Sequence, residues 1–396
     1  MYSKSTHTIV ILILSILANT ISTNPIIPTN TVRKSIITDR NSRWSDTGSL
    51  HFSRTYQAAS VMKDGRVIVS GGSGFPVCNT YEIYDPSTKS WTKDEFMEEC
   101  RHFHTSSILS DGNILVVGGY ADGTALSSNV KFSLNVASYY DLSDGFWKGT
   151  FLMKKPRAFH TASVLQNGRV LVVGGEDPEA AASAELYDPS NQFWTLVKSM
   201  KYSRLWHTAT VLSNGNVFIT GGRGVDSFAT KYAEIYNSST GTWKVVASMN
   251  YARSLHAATL LSNGKVLVSG GLNGDGDVLN STELFDPSTE SWSITDNMKQ
   301  GRSQHTSTVL KNGNVLVTGG IGPQFARINS SELYNPSEGV WTPAGNMHYE
   351  RAGHTASRLR DGSVLVVGGN DENNVAGVTV ELYEPSTNTY MPIRAK

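Results

Sequence analysis

Seven times along the chain a short run of branched apolar residues ends in a pair of glycines, as in Val266-Leu-Val-Ser-Gly270-Gly271. Such a run is apolar on both faces of an extended chain, which predicts a strand buried on both sides. A strand of small residues precedes it, for example His256-Ala-Ala-Thr-Leu-Leu, and small side chains suit a strand crowded near an axis. Between the two lies Asn-Gly or Asp-Gly in every copy: Asp64-Gly65, Asp111-Gly112, Asn167-Gly168, Asn214-Gly215, Asn263-Gly264, Asn312-Gly313 and Asp361-Gly362. That dipeptide favours a tight hairpin. After the glycines comes a stretch of varied length, then a third strand such as Thr282-Glu-Leu-Phe-Asp, an Asp-Pro-Ser turn, and an outer strand carrying tryptophan, such as Ser291-Trp292. Each unit therefore predicts four antiparallel strands.

The units keep strict time. Trp44, Trp91, Trp147, Trp194, Trp243, Trp292 and Trp341 each stand 27 residues before a glycine pair. A supersecondary unit copied at a period near 49 residues implies a repeat architecture in which neighbours cover one another's apolar faces. Four-stranded antiparallel units in sevenfold repetition predict an all-β, seven-bladed β-propeller. Double glycine, then Glu-x-Tyr, then a tryptophan six residues before methionine resembles the kelch signature across about nine-tenths of the chain. The segment Ser262-Asn-Gly-Lys-Val-Leu-Val-Ser-Gly-Gly is similar in flavour to the central domain of galactose oxidase. The resemblance implies a seven-membered ring. Eight outer-strand candidates compete for seven places: Trp44 to Leu50 fits, with Leu50 where other copies have methionine, and so does Thr389-Tyr390-Met391. The expectation is that the N-terminal segment closes the ring, which removes two sheet edges.

Residues 1–24 read as a signal peptide, with Lys4 ahead of a short apolar core from Ile9 to Ala18. Residues 25–42 read as a flexible lead-in and 43–396 as the propeller domain. Lysine plus arginine and aspartate plus glutamate number 34 each, so no net basic field points to nucleic acid or an anionic membrane. No later segment is apolar enough to span a membrane once the signal is removed. The chain is expected to be secreted and monomeric.

All length variation sits in one place. From the second glycine to the aromatic residue of the third strand the gaps are 12, 21, 12, 14, 14, 14 and 14 residues. One rim of the disc therefore carries uniform turns and the other carries varied loops, the usual place for binding on a rigid scaffold. The longest runs from Tyr120 to Val136 and includes Lys131 and Phe132. Cys78 and Cys100 both fall on the varied rim, and an even pair in a secreted chain predicts a disulfide.

Each copy opens with arginine: Arg54, Arg101, Arg157, Arg204, Arg253, Arg302 and Arg351. Two arrangements are open. They either ring the channel as a cationic collar for acidic groups, or pair internally with the third-strand glutamates Glu82, Glu185, Glu234, Glu283, Glu332 and Glu381. Ser138 replaces glutamate in the second copy, which also holds the longest loop, so Arg101 and Arg157 there, with Tyr120, Lys131 and Phe132, are the favoured binding candidates. Arg54 and Tyr56 of the first copy join them. Histidines three residues after the arginine, from His104 to His354, are spread round the ring and read as structural. Sequons at Asn237, Asn280 and Asn329 are candidate glycosylation sites.

Arg54-Thr-Tyr56-Gln57 resembles the segment that holds the copper-ligating tyrosine of galactose oxidase, with Tyr56 at the matching position. The rest of that site has no counterpart. No cysteine precedes Tyr56, no Tyr-His dipeptide occurs, and the family's histidine from a following domain is not found in these 396 residues. No HExxH, GxSxG or phosphate-binding loop is present, and Asn273 to Asp277 lacks the glycine and glutamate of a calcium loop. The sequence therefore predicts no cofactor, no metal and no catalytic set, and a function in binding an extracellular protein or glycan. The alternative is a carbohydrate-active or oxidoreductase-like enzyme with a pocket at the channel mouth.

Overall fold

The computed structural model describes residues 43–73, 77–122, 131–224 and 228–385. These form a propeller of seven four-stranded antiparallel blades. Blade 1 runs outward through Ala58–Val61, Val67–Ser70, Thr80–Asp85 and Ser90–Phe96, and blades 2 to 6 repeat this order. The innermost strands pack side by side right round the axis, closing the ring between Thr355–Arg358 and Ala58–Val61. Blade 7 takes its outer strand, Trp44–Asp46, from the N-terminal end, with Trp44 opposite Tyr383 and Asp46 opposite Glu381. The expected closure is thus the one observed; the competing segment around Tyr390 lies outside the described residues, as do the signal and lead-in segments.

The core is not one centre but seven seams, each filled by a cluster from two adjacent blades. At the seam between blades 7 and 1, Tyr84 and Trp91 pack against Leu365 and Leu382, and Leu50 is buried in the same cluster. The outer-strand indoles pair with the third-strand aromatics, as in Tyr84–Trp91 at 5.1 Å and Tyr187–Trp194 at 4.9 Å between ring centroids. Several indole N–H groups donate back across the seam, Trp91 to the Gly48 carbonyl and Trp292 to that of Ala247. This explains why tryptophan is used there: its ring fills the seam while its one donor is satisfied.

The glycine pairs answer a specific steric demand. Gly71 has φ +59°, and a Cβ on it would lie 2.8 Å from Cε1 of His104 in the next blade and against the Arg101 carbonyl oxygen. The histidine ring of blades 2 to 7 thus lies over the first glycine of the blade before it, and its Nε2 meets a hydroxyl such as that of buried Ser70 or half-buried Thr161 or Thr208. Blade 1 uses Gln57 instead, whose Nε2 donates to the Val367 carbonyl at 2.8 Å.

Two outcomes are expected. Trp44→Ala empties the closing seam and removes the indole bond to Ser331 at 3.2 Å, and should cost about 3–5 kcal/mol in urea unfolding. The second concerns acid. Burial holds the six seam histidines neutral, lowering His207 and His354 to about 3 and His104, His160, His256 and His305 well below their ordinary value. The unfolded chain takes up a proton on each near pH ~6.5, whereas the folded chain resists until much lower pH. Stability is therefore whole above that pH and falls as pH drops toward the folded values, by about 1.4 kcal/mol per unit for each histidine. Unfolding midpoints measured between pH 7 and 4 should fall steadily, and His207→Gln, which copies blade 1, should flatten the slope by about one proton.

Candidate functional site

The arginines that open each blade do not line the channel. All seven are buried, Arg54, Arg101 and Arg157 completely, so none of these three presents its charge to a ligand on the surface. Six are locked on glutamate within their own blade, Arg54 on Glu82 and Arg157 on Glu185 at 2.8 Å each, with the remaining four at 2.6–3.0 Å. Each carboxylate also accepts backbone N–H groups from the link entering the blade, for instance those of Lys154 and Lys155 at 2.7 and 3.0 Å. The guanidinium meanwhile donates to the first-glycine carbonyl, as Arg157 does to Gly174 at 2.8 Å. One ion pair thus ties together link, inner strand and third strand.

Blade 2 departs from this plan. Arg101 donates through Nη1 to the carbonyls of Gly118 and Val136, and Ser138 offers no carboxylate. Burial lowers the Arg101 guanidinium to about 10, a shift opposed by the charges of Glu99 and Glu98. The link that the missing glutamate would have held is the one carrying Cys100, and it is bonded to Cys78 of the blade 1 loop, with the two Cα atoms 4.5 Å apart. Arg101 N–H also donates to the Cys78 carbonyl at 2.8 Å. The disulfide expected from the sequence therefore tethers the link that lacks the ionic clamp.

What reaches the axis is the residue two places after each arginine. Tyr56, Phe103, Phe159, Trp206, Leu255, Gln304 and Gly353 all have φ between 52° and 64°. Aromatic and branched-chain residues avoid this left-handed region, at a cost on the order of 1 kcal/mol or more each. The reason for its adoption is visible in the backbone. Six of the seven donate through the N–H to the carbonyl of the counterpart in the preceding blade: Tyr56 to Gly353, Phe103 to Tyr56, Phe159 to Phe103, Trp206 to Phe159, Leu255 to Trp206 and Gln304 to Leu255, at 2.9–3.4 Å. A hoop of peptide hydrogen bonds thus runs round the axis from Gly353 through blade 1 to Gln304, and the side chains of blades 1 to 4 line the recess at its centre.

The hoop is symmetric but its side chains are not. Blades 1 to 4 supply an aromatic arc, with centroids 4.2 Å apart for Tyr56–Phe103, 4.3 Å for Phe103–Phe159 and 5.0 Å for Phe159–Trp206. Tyr120 stands edge-on behind it, 5.4 Å from Phe159. Beside the Tyr56 end of the arc lies Gly353, where a Cβ would come within 2.6 Å of the Tyr56 ring. A recess of ≈ 280 Å3 lies at the axis, lined by the arc, Gly353 and the tops of Gln57 and the histidines. Two cations flank the arc. Arg223, almost wholly buried, lies over the Trp206 ring at 5.3 Å and is shifted down by burial. Arg327 donates to Asn374 at 2.9 Å and, with Asn370, opposes the rise that burial imposes on the Tyr56 hydroxyl. Glu176 brings one carboxyl, raised by burial and by neighbouring Asp177.

Of the residues singled out from sequence, Tyr56 and Tyr120 meet at this mouth. Phe132 is exposed on a small hairpin, Tyr120–Asp122 against Lys131–Ser133, which orders part of the longest loop. The Lys131 side chain lies outside the described residues. Phe103, Phe159, Trp206, Arg223 and Gly353 were not picked out as site residues, although their fixed place after each arginine was on view. Asn237 holds a turn by accepting from Ser239, and the Asn280 amide donates to the Met298 carbonyl.

Residues 206–396 match the KLHDC2/KLHL20/DRC7 Kelch-repeats domain, and residues 54–93 and 157–201 each match the Kelch motif. The chain belongs to the kelch-repeat β-propeller family. Among solved structures it is similar to a novel fungal alcohol oxidase of the AA5 family in complex with copper, at 17% identity and TM-score 0.67, over 86% of this chain and 75% of that one. It is also similar to YjhT, at 16% identity and TM-score 0.60, over 76% of this chain and 100% of that one. At these identities the likeness is one of fold.

The residues do not fit a copper–tyrosine centre at the axis. Around the hoop the counterparts of Tyr56 in the late blades are Leu255, Gln304 and Gly353, which carry no phenol. The late-blade histidines point Nε2 into seams, His256 at Thr208, His305 at Ser269 and His354 at Thr318. Among the described residues, the gathered His, Asp and Glu ligand atoms are those of Asp46, His348 and Glu381, at the ring closure rather than the mouth, and Glu381 is already committed to Arg351.

If the disulfide stands in for the missing clamp, its loss should be felt most where no glutamate is present. Reduction, or Cys78→Ser with Cys100→Ser, should cost about 2–4 kcal/mol in chemical unfolding. Adding Ser138→Glu should recover part of that loss; an unchanged penalty would separate the two devices.

Proposed function

We propose that the protein is a secreted, non-enzymatic binding propeller that takes a group of an extracellular protein or glycan at its channel mouth. The observation that carries this reading is the aromatic arc of Tyr56, Phe103, Phe159 and Trp206, held on left-handed backbone around an axial recess. A scaffold needs none of these rings at the axis, because Leu255 and Gln304 make the same hoop bonds without one. Backbone strain retained with a particular chemistry on one side of a ring supports a ligand role. Stacked rings offer flat apolar faces to sugar or to an aliphatic or aromatic side chain, and Arg223, Arg327 and Gln304 add polar anchors at its edge.

The extracellular setting rests on the leader-like start of the sequence and on the Cys78–Cys100 bridge, which suits an oxidising compartment. Among the described residues no helix is long and apolar enough to cross a membrane. Attachment of glycans at Asn237, Asn280 or Asn329 belongs to the same reading.

The test compares the intact protein with two variants in glycan-array binding and in capture of cross-linked partners from extracellular fluid. Trp206→Leu keeps the hoop, as Leu255 does, but removes the end of the arc. Gly353→Leu crowds Tyr56 and fills the recess. Trp206→Leu should fold as the natural protein does and Gly353→Leu at reduced stability, to be checked by thermal unfolding, and a ligand seated at the mouth should lose at least ~10-fold in affinity, or about 1.4 kcal/mol, with either. Full retention of binding by both would move the site away from the axis. Stoichiometric copper in purified protein, with alcohol oxidation, would replace the binding reading.

A further inference from the structure

Six blades settle their buried arginine on a carboxylate, and the seventh case shows what the pocket is built to hold. In blade 3, Arg157 Nη2 donates to Glu185 at 2.8 Å and to Ser183 Oγ at 3.1 Å, and the N–H groups of Lys154 and Lys155 complete the shell. The matching residues in blade 2 are Ser138 for Glu185, Val136 for Ser183, and Glu98 and Glu99 for the two link residues. Both acceptors of the Nη2 group have therefore been replaced in the same blade. Among the described residues Arg101 Nη2 has no hydrogen-bond acceptor and Ser138 Oγ has no partner. Both side chains are shut from solvent, at 0% and 1% exposure.

The other arginines share an unbonded Nε, so that feature distinguishes nothing; the unbonded Nη2 belongs to Arg101 alone among the seven. Glu99 and Glu98 are the nearest acids, yet neither forms an ion pair with Arg101 among the described residues. Glu98 is exposed and its carboxylate lies toward Gly149 on the outer strand, the residue opposite Ser138.

We propose that blade 2 binds one small monovalent anion of the halide class between Arg101 Nη2, Ser138 Oγ and the N–H groups of Glu98 and Glu99, in the place a glutamate carboxylate takes in the other blades. The donor set consists of N–H and O–H groups around one fixed positive charge, which selects an anion over a cation. A single guanidinium balances a single negative charge. The nearby Glu98 and Glu99 carboxylates oppose a second one, which argues against sulfate or phosphate. Serine stops where glutamate extends through a methylene to its carboxylate, so the space suits one compact ion and not a substituted acid. A water molecule would satisfy the hydrogen bonds but bring no counter-charge into contact with the guanidinium.

The experiment uses the full secreted chain in two measurements. Thermal unfolding is followed at constant ionic strength while chloride or bromide replaces gluconate, for the natural protein and for Ser138→Glu. The natural protein should gain stability saturably, by about 2–4 °C, while Ser138→Glu should start higher and show no response. Crystals of the natural protein soaked in bromide should show one anomalous peak within contact of Arg101 Nη2 and Ser138 Oγ. The peak does not depend on any variant folding. An equal halide response in both proteins, absence of the peak, or a peak without saturable stabilisation would each overturn the proposal. The last result would mean an adventitious ion only.

Discussion

Seven guanidinium groups are taken out of water in this propeller, and everything on the varied rim is arranged around how they are satisfied. Burying a charge is unfavourable unless it is paired and fully hydrogen-bonded. The blade meets that demand with a carboxylate on its third strand, the link N–H groups that the same carboxylate gathers, and the first-glycine carbonyl. These contacts fix where the link enters, and the inner strand then begins at a defined height and angle. Removing one partner from such a pair generally costs about 3–5 kcal/mol, far more than a surface ion pair contributes. The clamp is thus a register device, repeated in six blades and absent from one.

Above the clamps runs the hoop. The residue two positions after each arginine lies in the left-handed region, and in six blades its N–H is directed at the preceding blade. Blade 2 keeps this geometry at Phe103 without a clamp, and blade 7 meets it with glycine. The scaffold dictates that some side chain enters the mouth from every blade, and leaves open which. The arc of aromatic residues on blades 1 to 4, with Leu255, Gln304 and Gly353 filling the other three places, is where this protein makes its own choice. Blade 2 is the most individual part: it lacks the clamp, carries the disulfide tether on its link, and extends a hairpin beside the arc.

Much of the fold was legible because each unit signals itself locally. Asn-Gly between two strands, doubly apolar Val-Leu-Val runs and regularly spaced tryptophans state strand order and blade number without reference to distant residues. Closure by Trp44 was expected for the same reason, but the rival segment around Tyr390 carries a similar pattern, and the pairing of Trp44 with Tyr383 is what decides it. The site was less so. Arg54, Arg101 and Arg157 looked available because charge on a repeated position can face either way. Only packing shows that the glutamate lies on the same side and that both are buried. Nothing in the sequence marked Phe103, Phe159 and Trp206 as axial, because a positive φ leaves no mark in a non-glycine sequence.

The sequence by itself determined the number of blades, the order of strands and the pairing of the two cysteines, and narrowed the closing segment to two candidates, all of which follow from short-range pattern or from arithmetic over repeats. Tertiary structure alone decided which side chains meet at the axis, which arginine lacks a counter-charge, and that a disulfide lies beside it. The physical reason is that these are relations between equivalent positions in different blades, some 50 residues apart in the chain, and they exist only once the ring has closed.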